Sequence, residues 1–91
     1  MPYITPEQRS LLEASIGNLS QRVGTRGELN YVITCLVHDF IKKQLRSKCY
    51  DNINDAIGVL ECAKLELYRV VAASYEDTKR AVNGRVSNLE D

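Results

Sequence analysis

The sequence predicts an all-α chain: a helical hairpin plus one long C-terminal helix, assembling as a homo-oligomeric helical bundle. Three observations predict it. Apolar residues recur at spacings of three and four along most of the chain, which is the period of a helix face. Two capping boxes and an Asn-Gly pair mark helix starts and a stop. Neither Gly nor Pro interrupts the stretch between Gly58 and Asn83-Gly84.

Helix 1 is expected over about residues 6–23. Thr5 suits the N-cap, Pro6 the first helical position, and Gln8 completes a Thr-x-x-Gln capping box. Leu11, Leu12, Ile16, Leu19 and Val23 supply the stripe, Gly17 weakens the middle, and Gly24 is the expected C-cap. Helix 2 is expected over 26–48, opened by the Thr25-x-x-Glu28 box. Its stripe is Leu29, Val32, Ile33, Leu36, Val37, Phe40 and Ile41. The β-formers Tyr31 to Thr34 make a strand the competing reading, and the length of the stripe favours helix. Lys42, Lys43, Arg46 and Lys48 gather where cations suit the end of a helix dipole. The short joint Gly24–Gly27 should fold helices 1 and 2 into an antiparallel hairpin.

Helix 3 is expected over 53–83, capped by Asn52 or Asn54 and ended by Asn83-Gly84. Ala56, Leu60, Ala63, Leu67, Val70 and Ser74 form a heptad-like seam, widened by Ile53, Ile57 and Val71. At 1.5 Å per residue such a helix is roughly 45 Å long. A compact monomer of this size is only about 30 Å across. The seam therefore runs beyond what the hairpin can cover, and a second copy of the chain is the simplest cover. Residues 1–84 read as one helical domain and 85–91 as a flexible tail.

Composition narrows function. Lys and Arg number 12 against 12 Asp and Glu, a net charge of zero that argues against a general nucleic-acid binder. No apolar run approaches the roughly 18 residues that cross a membrane. The start Met1-Pro2-Tyr3-Ile4 lacks a signal peptide's basic and apolar regions, and three Cys form no paired framework. Both features point to the cytoplasm.

Reaction chemistry is poorly represented. Cys35 and His38, three apart on one helix face, could pair as thiol and base, but no orienting third group accompanies them. Cys35, His38, Cys49 and Cys62 have zinc-ligand chemistry without the C-x-x-C spacing of structural zinc sites. Gly24-Thr25-Arg26-Gly27 could offer free N–H groups to an anion but reads more simply as an interhelical turn. No catalytic residue, metal or cofactor is assigned.

The richest surface lies on helix 3. Glu61, Lys64, Tyr68, Tyr75 and Lys79 fall near one line, and Glu66, Arg69, Glu76 and Arg80 near another. Ion pairs at i,i+3 and i,i+4 on a solvated face explain the charges. They explain the tyrosines less well, because exposed tyrosines are enriched at interfaces. Aromatic ring, cations and carboxylates together also suit a nucleotide-like ligand, which needs stacking, phosphate contacts and hydroxyl acceptors.

The opening MPYITPEQR, the segment GELNYVIT, the run INDAIGVLECAKLELYR and the following YED resemble a family of short phage and prophage proteins. In that family a Pro-Tyr-Glu-Asp stretch and an Asn-Gly-Asp end are usual. Here Ser74 stands for that Pro and Arg85 for that Asp, which lets helix 3 run on through Tyr75. The resemblance implies a viral protein acting in a bacterial cytoplasm. By analogy of size and helicity, it would be a counter-defence protein that sequesters a nucleotide-derived signal without cleaving it. Tyr68, Tyr75, Lys64, Arg69, Lys79 and Arg80 would then give stacking and phosphate contacts. Glu61, Glu66 and Asn83 would hold hydroxyls or base edges, and Tyr31, Asn30 and His38 of a second subunit would complete the site. The alternative is a helical protein–protein module that inhibits a host protein or serves phage assembly. A transcriptional regulator, suggested only by the basic cluster 42–48, is the weakest reading.

Overall fold

The computed structural model describes residues 4–87 and Leu89. The expected mobility of the tail concerns in part residues 88, 90 and 91, which lie outside the described residues. The chain is all-helical, with three helices of which the last is long, and no strand occurs among the described residues. It divides into two units, residues 1–40 and 41–91.

In the first unit, α1 spans Pro6–Ser20 and α2 starts at Arg26, ending at Lys42 just inside the second unit. Both capping boxes form. Gln8 N–H donates to Thr5 Oγ1 at 3.2 Å, and Thr5 N–H donates to Gln8 Oε1 at 2.8 Å. At α2, Glu28 N–H donates to Thr25 Oγ1 at 3.1 Å, while Glu28 Oε1 accepts from the N–H groups of Gly24 and Thr25, each at 3.0 Å. Each box satisfies donors that a helix start would otherwise leave open. The Gly24 bond explains why α1 stops short of 23: Gly24 serves the start of α2, and Gln21 caps α1 through Gly17 and Leu19 carbonyls.

These bonds hold the Glu28 carboxyl below its usual range, the Gly24 N–H foremost and the Thr25 hydroxyl and N–H next. A lowered folded pKa means that the cap is fully formed above the ordinary value and lost as pH falls through the lowered one. The Gly24 and Thr25 amide proton shifts should therefore titrate together below pH 4.5, and E28Q should flatten both curves. Titration at the ordinary carboxylate value would show that the bonds do not persist in solution.

The hairpin expected of α1 and α2 is not formed. No packed contact joins the two helices among the described residues, and Leu11, Leu12 and Ile16 stay exposed. Leu19, Val23, Tyr31 and Val32 instead line an open notch of about 350 Å³ where a hairpin would have closed. Short joints favour antiparallel packing only when the two stripes are brought face to face, and here the joint is committed to capping α2.

In the second unit, α3 spans Tyr50–Leu67, a π-helical turn covers Tyr68–Ala72, and α4 spans Ala73–Asn83. The three run on as one helix of 34 residues, roughly 51 Å long. Two boundaries differ from the sequence expectation. Helix 2 ends at Lys42, so Lys43, Arg46 and Lys48 sit in a turn in which Arg46 adopts φ 60°. α3 begins at Tyr50, because Asn52 does not cap: its Nδ2 donates to the carbonyls of Leu45 and Arg46, at 3.1 and 3.0 Å. Those bonds fix the basic turn against the first turn of α3, whose extended N-cap residue is Cys49. At the far end the Asn83-Gly84 stop forms as expected: Gly84, at φ 91°, donates its N–H to Arg80 O at 2.8 Å.

The π turn is the feature the heptad reading misses. A π turn holds one extra residue, and everything after it is turned by about 100° relative to a regular helix. Ser74 Oγ donates to Val70 O and Thr78 Oγ1 to Ser74 O, at 3.3 and 3.2 Å, so both hydroxyls are tied to their own helix.

Candidate functional site

Nine of the twelve residues expected to bind a ligand lie on the long helix of the second unit. Glu61, Lys64 and Glu66 are on α3, Tyr68 and Arg69 in the π turn, and Tyr75, Lys79, Arg80 and Asn83 on α4. Asn30, Tyr31 and His38 lie on α2.

Most of the nine are partnered within the chain. Lys64 pairs with Glu61 at 3.0 Å, Arg69 with Glu66 at 3.2 Å and Arg80 with Asp77 at 3.7 Å, all at i,i+3. Lys79 Nζ lies 5.6 Å from the centre of the Tyr75 ring, within cation–π range. Tyr68 Oη donates to Glu76 Oε2 at 3.1 Å. These are exposed pairs, of the kind that contributes a few tenths of a kcal/mol each.

The Tyr68–Glu76 bond depends on the π turn. Residues eight apart on a regular helix diverge by about 80°, and the extra residue brings them back into line. The Glu76 carboxylate, accepting that bond and placing its charge beside the phenol, pushes the Tyr68 pKa up, with Asp77 adding a smaller charge effect. The bond is thus present below the ordinary phenol pKa and lost as pH rises through the raised one. Titration followed at Tyr68 itself should run above the ordinary phenol value, and E76Q should lower it. A titration unchanged by E76Q would show that the contact is absent in solution.

Three of the nine come together around one cavity. Lys79, Arg80 and Asn83 line an open pocket of about 340 Å³ beside Glu76, Asp77 and Val86. The pocket sits at the C-terminal end of α4, where the carbonyl ends of a helix favour cations. A phosphate there would meet two carboxylates and the negative end of the helix.

On α2, Cys35 is partnered by Tyr31 one turn earlier. Hydrogen bonding to Cys35, followed by the charge of its thiolate form, raises the Tyr31 phenol above its usual value. Cys35, Cys49 and Cys62 are all free thiols. Among the described residues no three His, Cys, Asp or Glu side chains gather as a metal centre requires.

The most extensive functional candidate is apolar and was only partly read from the sequence. Ala56, 4% exposed, is the one buried hydrophobic residue among those described. Ile53, Ile57, Leu60, Leu67, Val70, Val71, Tyr75 and Val82 are all exposed along the long helix. Among the described residues no other helix of the second unit packs against it. Among the described residues no helix is long and apolar enough to cross a membrane.

A family model described as "Domain of unknown function (DUF6899)" matches residues 1–86. No curated protein and no solved structure matches the chain. With nearly its whole length matched, the chain belongs to the DUF6899 family.

Proposed function

We propose that the chain is a helical protein–protein interaction module that works as a homo-oligomer through α3–α4. The observation that carries this reading is the exposed apolar face of the long helix, from Ile53 to Val82, with no other helix of its unit against it among the described residues. Exposed apolar surface on this scale marks interaction sites in soluble proteins. In such an assembly the charged residues of the helix rim the interface, and the paired state of Lys64, Arg69 and Arg80 suits a rim. The protein would bind rather than catalyse. Its resemblance to short phage and prophage proteins suggests a bacterial cytoplasm during infection as the setting, with a host protein or a phage assembly as target.

The second reading is sequestration of a nucleotide-derived immune signal. It is supported by the Tyr75–Lys79 stack beside the pocket that Arg80 and Asn83 help to line. The pairing of its cations and the helix C-terminus at that pocket rank it second. Native mass spectrometry separates the two readings, since it weighs the assembly together with anything it carries. The module predicts a multiple of the 10.3 kDa chain without added mass. An intact nucleotide released on denaturation would favour sequestration, and a bare monomer would contradict both.

A further inference from the structure

We infer that α3–α4 pairs antiparallel with α3–α4 of a second copy, along one line through Leu60, Leu67, Val71, Tyr75 and Val82. This inference rests on the homo-oligomer reading and specifies its partner and geometry.

The line follows from the π turn. Heptad spacing from Ala56 passes through Leu60, Ala63 and Leu67. Continued without an extra residue, it would run through Val70, Ser74, Asp77 and Ala81. With the one residue that the π turn adds, it runs through Val71, Tyr75, Thr78 and Val82. The turn thus puts Tyr75, the uncharged Thr78 and Val82 where Ser74, Asp77 and Ala81 would stand. The side chains so aligned are open: Leu60 is 39% exposed, Leu67 61%, Val71 57%, Tyr75 63% and Val82 76%. With Ile53 and Ile57 beside them, burying this face on a copy of itself would remove roughly 1,400 Å² in total, inside the range of stable specific interfaces.

Charge sets the direction. Lys42, Lys43, Arg46 and Lys48 lie within seven residues that hold no acid, and Asn52 ties that turn to the start of α3. No ion pair neutralises these four cations among the described residues. Parallel pairing would put eight cations at one end of the dimer, where their like charges repel. Antiparallel pairing parts the two clusters by the length of the helix. Centred near Leu67, it also sets Leu60 opposite Tyr75 of the second copy.

The test uses the full chain with Cys35, Cys49 and Cys62 changed to Ser, checked for wild-type mass and helicity. Copies carrying L60C mixed with copies carrying Y75C should oxidise to a mixed disulfide, while L60C alone should not cross-link. Because these changes touch the interface, spin labels on the exposed K48C provide a second measurement. Antiparallel pairing predicts a separation on the order of 50 Å, and parallel pairing about 20 Å. An L60C homodisulfide with a short K48C distance overturns the orientation and leaves the homo-oligomer reading standing. A monomeric mass for the unmodified chain overturns that reading first, and this inference with it.

Discussion

Leu67→Asp is expected to dissociate the assembly while leaving the isolated chain helical. Leu67 sits at the middle of the exposed line on the long helix and is 61% exposed within its own chain. Its substitution therefore removes little from the chain itself. In a paired state the new carboxylate would be buried without a partner, a change that typically costs about 3 kcal/mol or more. That is at least ~100-fold in the dissociation constant. Leu67→Ala, which removes contact without adding charge, should weaken association by a smaller factor. Sedimentation of both variants beside the parent reads the order directly. Equal masses for all three would place the interface elsewhere. If L67D also loses helicity, helix formation depends on association, as in obligate dimers, and the milder L67A keeps the comparison informative.

Deleting Ala72 should have a comparable effect by a different route. The deletion removes the extra residue of the π turn and lets α3 and α4 join as a regular helix. Helicity should hold or rise, because a regular helix bonds its backbone better than a π turn. Tyr75 and Val82, however, would turn by about 100° away from the line of Leu60 and Leu67. Losing both from an interface would cost about 2 kcal/mol or more, roughly 30-fold in affinity. The same rotation would part Tyr68 from Glu76, so the Tyr68 phenol should fall back to its ordinary value. Intact association with a restored tyrosine titration would mean that the turn serves only that hydrogen bond.

The helix starts were legible because capping is local chemistry. Thr5 with Gln8, and Thr25 with Glu28, need only three-residue spacing, and both reciprocal bonds form. Gly84 was legible for the same reason, as a backbone of positive φ after a polar helix end. The end of α2 was not, because Lys43, Gln44 and Arg46 are good helix formers and nothing in the sequence marks Arg46 for positive φ. Asn52 misled as a cap because its amide is spent on carbonyls six and seven residues back. The hairpin failed for a related reason: joint length constrains a connection, whereas packing depends on where the stripes face.

For the site, the sequence placed aromatic and charged residues on the long helix, and they are there. It could not show that each cation already has an acidic or aromatic neighbour, nor that Tyr68 reaches Glu76. That reach depends on the π turn. Its trace in the sequence is faint but present: adjacent Val70 and Val71 let the heptad frame step by one, and only the stepped frame avoids Asp77.

The central claim is that this chain works as an assembly of itself, and sedimentation equilibrium of the unmodified chain tests it most directly. Across micromolar concentrations the fitted mass should be a whole multiple of 10.3 kDa, at least two copies, falling only on dilution. A mass of one chain that stays constant across that range would contradict the account.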